Sequence, residues 1–118
     1  MIYVGLIGFG HVGKGTYQVM MQQQQLLSDR IGQPVQVKSV LVRDLKKYAS
    51  FDFQGTTVTT DIDTLLNDSD LSIIVEVMGG EYPAYDYICA ALKKGKFVVT
   101  ANKEVMAKHK KTFFSLAK

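Results

Sequence analysis

Apolar positions along this chain fall into two patterns, short continuous runs and longer stretches at helical spacing. Ile2-Tyr3-Val4-Gly5-Leu6-Ile7 is a continuous run of strand length, as expected for a strand covered on both faces. After Gly8-Phe9-Gly10-His11-Val12-Gly13, the spacing predicts a helix from about Lys14 to Leu27, with Val19, Met20 and Leu26 on its core side. Ser28 to Pro34 has loop chemistry. Val35 to Val42 is β-branched and mostly apolar, a second buried strand. Asp44 to Gln54 reads as a connection with a helical turn near Leu45 to Tyr48, and Thr56 to Thr60 as a short edge-type strand. Asp61 is placed to cap a short helix through Leu66. Leu71 to Met78 is a third strong strand, ended by Gly79-Gly80. Pro83 stands at a helix start, Ala84 to Lys94 continues it with Ile88, Ala91 and Leu92 apolar, and Gly95 closes it. Phe97 to Thr100 is a last short buried strand, and Lys103 to Ala117 a terminal helix.

Strands alternating with helices imply right-handed crossovers. The expected fold is α/β, a doubly wound and mainly parallel sheet of the Rossmann type, in one domain over residues 1–118. An open sheet ending on a helix with no second lobe reads as a piece of a longer enzyme. The chain is 47% hydrophobic and 21% charged, an ordinary globular composition. Its formal charge of +3 comes without a basic block interleaved with aromatics, so no nucleic acid partner is expected. A mild positive field suits an anionic cofactor or substrate. Cys89 is the single cysteine, which excludes an intrachain disulfide and agrees with a cytoplasmic setting. No apolar run reaches the roughly 18 residues of a membrane span. Met1-Ile2-Tyr3 enters the first strand directly, so no signal peptide is expected.

The most informative chemistry is G-x-G-x-x-G, at Gly8, Gly10 and Gly13, after a strand and opening a helix. In that context Gly8 permits the tight turn, Gly10 lets a pyrophosphate approach the backbone, and Gly13 allows close helix–strand packing. The helix N-terminus adds free N–H groups and a partial positive charge. Such folds commonly carry an Asp or Glu about 20 residues on, for the ribose 2′-hydroxyl of NAD. Here the second strand ends in Val42-Arg43-Asp44. A guanidinium at Arg43 pairs well with a 2′-phosphate and favours NADP. Asp44 could instead take a ribose hydroxyl, which leaves NAD open, and an exposed Arg-Asp pair is the plain alternative.

Gly79-Gly80 and Thr100-Ala101-Asn102-Lys103 follow the next strands at the same carboxyl edge. Glycines there let the backbone run under a ribose or nicotinamide. Lys103 can serve as a general acid/base if its surroundings tune it; as a plain helix start, Asn102 caps and Lys103 is solvated. Glu76, in an apolar run, needs a partner if buried and otherwise belongs at the strand margin. His11 points to solvent or phosphates, and His109 with Lys108, Lys110 and Lys111 reads as a solvated helix face. Cys89 belongs to an apolar helix face, and Tyr82, Tyr85 and Tyr87 pack or rim a surface. No metal site is expected.

Together these segments resemble the N-terminal cofactor domain of homoserine dehydrogenase. The resemblance rests on Gly-Leu-Ile-Gly-Phe-Gly-His-Val-Gly (5–13), Val-Arg-Asp (42–44), Val-Glu-Val-Met-Gly-Gly (75–80) with Pro83-Ala84, and above all Gly-Lys-Phe-Val-Val-Thr-Ala-Asn-Lys (95–103). It implies NAD(P)-dependent interconversion of L-homoserine and L-aspartate 4-semialdehyde, on the route to threonine, methionine and isoleucine. It makes Gly8, Phe9, Gly10, Val12 and Gly13 the pyrophosphate turn and Arg43 the 2′-phosphate contact. It places Thr100 by the nicotinamide, beside the Gly79 already read as a cofactor contact from its place at the strand end, and gives Lys103 a part in proton transfer. NADP is the preferred cofactor, with NAD possible. The family's dimerisation and substrate region, with its second catalytic lysine, is missing after Lys118, so a homo-oligomer is expected through that region. Two other readings stay open: another small-substrate NAD(P) oxidoreductase, and a stand-alone nucleotide-sensing module.

Overall fold

Residues 1–117 are described by a computed structural model; Lys118, which the expected 1–118 domain includes, lies outside the described residues. Five strands form one sheet, β1 (Ile2–Ile7), β2 (Val35–Leu41), β3 (Thr57–Thr59), β4 (Leu71–Glu76) and β5 (Phe97–Thr100). Their order is β3-β2-β1-β4-β5 and every pairing is parallel. This is the expected α/β arrangement, with the order reversing at β1, and ligand crevices in such sheets open at the carboxyl edge of that reversal.

The helices are α1 (His11–Gln22), α2 (Gln24–Ile31), α3 (Ile62–Leu66), α4 (Ala84–Lys93) and α5 (Lys103–Ala117), with a 3₁₀ turn at Leu45–Tyr48. One core lies under α1, where Leu6, Phe9, Tyr17, Val37, Val40 and Val42 pack together. On the other sheet face Ile7, Leu65, Leu71, Ile74 and Ala91 form a second core. Ile88, Val105 and Phe113 join α4 to α5.

Several expectations need correction. The first helix starts at His11 rather than near Lys14, because Gly10 already serves as its N-cap in extended conformation. It breaks at Gln23, and a second helix runs on to Ile31. Ser28 is thus helical, not loop. Its hydroxyl donates to the Gln24 carbonyl and accepts from the Val35 N–H, tying α2 to β2. Gln24 donates to the Val35 carbonyl, a second tie between α2 and β2. The core stripe of α1 is Gly13, Tyr17, Met20 and Met21, whereas Val19 and Leu26 are exposed. Val19 lies about 160° around the helix from Tyr17, and Leu26 belongs to α2, past the break at Gln23. Strand β5 is an edge strand, not a buried one: Phe97 is 74% and Val99 57% exposed. Val98 alternates with them and packs into the core beneath α4.

Candidate functional site

Gly8 has φ 103°, and a Cβ there would lie 2.8 Å from the Met78 backbone. A Cβ on Gly13 would lie 2.3 Å from the Gly8 carbonyl oxygen. Both positions need glycine for close packing. Gly10 differs, because a Cβ there would meet nothing within 4 Å. It caps α1 without a side-chain hydrogen bond, and the first-turn N–H groups of a helix have no intrahelical partner. The turn therefore presents unfilled space and free donors together, which is what an anion needs. Phe9 borders this space, but its ring is buried against Tyr17, Tyr48, Phe51 and Phe53. Any ligand contact by Phe9 thus falls to its backbone. Val12 is exposed beside the turn.

A cavity of about 450 Å³ opens on one side of the turn, walled by Gly8, Gly10, Arg43, Lys47, Tyr48 and Tyr87. Arg43 and Lys47 bring two cations to its rim. Asp44 also borders it, but one carboxylate oxygen accepts from the Lys46 N–H at 3.0 Å and caps the 3₁₀ turn. Lys47 and Tyr48 escaped the sequence reading. The only signal for them was their place in the short turn just after Arg43. A second cavity, of about 230 Å³, is walled by His11, Val12, Gly79, Ala101 and Asn102. The two share Gly10 and Met78, so they meet at the glycine turn.

Beneath the second cavity lies Glu76, which is fully buried rather than at the strand margin. Its carboxylate accepts from the N–H groups of Met78 at 3.0 Å and Gly79 at 3.3 Å and from the Thr100 hydroxyl. Thr100 in turn accepts from the Asn102 N–H at 3.0 Å. The Asn102 amide donates to the Gly80 carbonyl, and its oxygen accepts from the Val105 N–H at 3.1 Å, capping α5. The Thr100 hydroxyl is thus turned into this network, and its neighbours Ala101 and Asn102 face the cavity. Lys103 is exposed at the start of α5 and walls neither cavity.

Farther along the same loop, Glu81 meets His109 at 2.6 Å and Lys108 at 3.1 Å. The hydrogen bond from His109, then that from Lys108, holds the Glu81 carboxyl below its ordinary range. His109 stacks on Tyr85 with ring centroids 4.0 Å apart, so it is not the solvated residue expected. On the opposite edge of the sheet Lys96 is buried, donating to the Asp68 and Leu71 carbonyls, and burial pushes its ammonium pKa down. His11 is exposed, and Cys89 packs partly buried against the α4–α5 core. Among the described residues no group of His, Cys, Asp and Glu is arranged to hold a metal ion. No described helix is long and apolar enough to cross a membrane.

Comparison with known proteins bears on this site. The family profile described as "Homoserine dehydrogenase, NAD binding domain" matches residues 8–118. Homoserine dehydrogenase from Bacillus subtilis is 40% identical over 106 residues, covering 90% of this chain and 24% of that relative. A crystal structure of homoserine dehydrogenase from Thiobacillus denitrificans superposes with a TM-score of 0.90 at 36% identity, over 98% of this chain and 27% of that one. The Staphylococcus aureus enzyme gives a TM-score of 0.89 at 38% identity, over 98% of this chain and 29% of that one. The chain spans about a quarter of the length of these relatives.

Proposed function

The chain belongs to the family of homoserine dehydrogenase NAD-binding domains, and on that premise we propose that residues 1–118 form the cofactor domain of an enzyme interconverting L-homoserine and L-aspartate 4-semialdehyde. The observation that carries the reading is the glycine turn. Gly8 and Gly13 are fixed by packing, while Gly10 fronts open space at an uncapped helix N-terminus. These residues fit the pyrophosphate of a nicotinamide dinucleotide. When bound, that cofactor supplies the hydride-transfer chemistry.

The chain's own residues have separate tasks. The N–H groups of the turn, with Phe9 and Val12 contributing backbone, hold the pyrophosphate. Arg43, helped by Lys47, binds a 2′-phosphate in the larger cavity. Asp44 keeps a second carboxylate oxygen beside its capping bond, so the preference for NADP rests on the two cations Arg43 and Lys47 at the rim. Gly79, with φ 77° and no side chain, leaves room for the nicotinamide ribose. Thr100 sits at the nicotinamide end. Lys103 holds or moves a proton at the substrate oxygen. Because Lys103 lies outside both cavities here, its partner surface is contributed by the rest of the enzyme. The same reading carries the aspartate-derived route to threonine, methionine and isoleucine, a cytoplasmic setting, and a homo-oligomer assembled through residues beyond this domain. The test is a hydride-transfer assay on the full-length protein with homoserine and each of NADP and NAD. Homoserine-dependent reduction, faster with NADP, is expected; no reduction of either cofactor contradicts the reading.

A further inference from the structure

Glu76 is the only buried carboxylate among the described residues. No cation touches it, and burying a charge without one is costly unless hydrogen bonds replace water. The residue two positions earlier on the same sheet face, Ile74, shows what plain packing there requires. Glu76 instead gathers donors from two separate segments, and the Asn102 amide also reaches its carboxylate at 3.5 Å. Met78 and Gly79 belong to the loop after β4, and Thr100 ends β5. Asn102, bonded to Thr100 through its backbone and to Gly80 through its amide, caps the helix that begins with Lys103. We propose that Glu76 is a positioning residue: its buried carboxylate clamps the Gly79–Gly80 loop, Thr100 and the start of α5 into one geometry for the nicotinamide half of the site.

The proposal rests on the dinucleotide reading above. A glutamine at this position has a single acceptor oxygen. If that oxygen keeps the Met78 and Gly79 donors, the amide NH₂ faces Thr100, and the Thr100 hydroxyl proton loses its acceptor. The adenosine half, around Arg43 and Lys47, shares no hydrogen bond with this network and is unaffected. A small displacement of reacting groups can cost up to about 10²-fold in rate.

The experiment uses the full-length protein and its Glu76→Gln, Thr100→Val and double variants. NADPH fluorescence in the complex reports the nicotinamide environment, and 2′-phospho-ADP-ribose, which lacks nicotinamide, reports the adenosine half. In Glu76→Gln the fluorescence of bound NADPH should move toward that of the free cofactor. Affinity for 2′-phospho-ADP-ribose should stay within about threefold, and kcat per titrated site should fall about tenfold or more. Thr100→Val should reproduce these effects, and the double variant should fall short of the sum of the singles, because both remove the Thr100–Glu76 bond. A lowered melting temperature with wild-type fluorescence and wild-type kcat per titrated site overturns the proposal, as do fully additive effects. If Glu76→Gln does not fold, Thr100→Val must show the fluorescence change and Thr100→Ser, which keeps the hydroxyl, must not; any other pattern overturns it. A wild-type protein that binds NADPH but does not oxidise homoserine removes the substrate reading alone, and fluorescence then decides for Glu76. One that binds no nicotinamide dinucleotide overturns both.

Discussion

Arg43 and Asp44 are adjacent at the end of β2, yet local structure gives them different tasks. Asp44 turns back to cap the 3₁₀ turn, an ordinary use of Asp before a helical segment. Arg43 stays exposed on the cavity rim with Lys47. Replacing Arg43 with Ala should weaken NADPH binding by about 1.5–3 kcal/mol, the scale of a hydrogen bond to a charged group, and leave NADH nearly unchanged. Calorimetric titration of the variant with both cofactors checks this, and equal losses would remove the 2′-phosphate role. Lys103 allows a second test at this scale. As a general acid/base it should contribute about 10²–10⁴-fold. In the full-length enzyme Lys103→Ala should therefore cut kcat by that order, with cofactor affinity changed only a few-fold. The cap survives because Asn102, not Lys103, bonds the Val105 N–H. A near-normal kcat would make Lys103 a solvated helix start.

The glycine turn is a unit in which Gly13 and Gly10 should separate experimentally. Gly13→Ala places a Cβ against backbone at 2.3 Å and should destabilise by about 1–3 kcal/mol. Gly10→Ala meets nothing within 4 Å, so it should cost no more than a cap preference, up to about 1 kcal/mol, but weaken dinucleotide binding. Paired melting curves and NADPH titrations would expose the opposite pattern if the turn served packing only. The link between the loop after β4 and α5 should respond to acid. The Glu81 pKa is lowered from its ordinary 4.5 by His109 and Lys108. Its contribution is therefore complete above that value and lost as pH falls through the lowered one. Glu81→Gln should flatten the melting-temperature profile below pH 4.5; an unchanged acid limb would show that the tether carries no stability. Element type was legible where local signals agree. The apolar run of β1, the Asp61 cap and the Asn102-Lys103 start each specify their own segment. Phase and cover were not. Which face of α1 is buried depends on Tyr17 meeting Phe9, Phe51 and Phe53, a contact between residues distant in sequence. The exposure of Phe97 and Val99 depends on what packs beside β5. Gly8, Gly10 and Gly13 were legible as a motif, whereas the Glu76 network was not, because its donors come from separate strand ends.

Across the whole molecule, the β3-β2-β1-β4-β5 order brings the glycine turn, Arg43, Gly79 and Thr100 to one sheet edge from four strand ends. Parallel strands alone achieve this, since each carboxyl end then falls on the same side. The chain's formal charge of +3 suits an anionic ligand there. Because these residues span about a quarter of the relatives' length, binding and turnover should be separable. The 118-residue chain should bind cofactor, weakly, and oxidise no homoserine. Measurable oxidation by the purified chain would mean that the substrate site had been misplaced. The central claim is that this edge is a dinucleotide site, and calorimetric titration of the chain with NADPH and NADH tests it most directly. Saturable one-to-one binding, tighter for NADPH and weakened by Gly10→Ala, is the predicted result; no saturable binding of either nucleotide would contradict it.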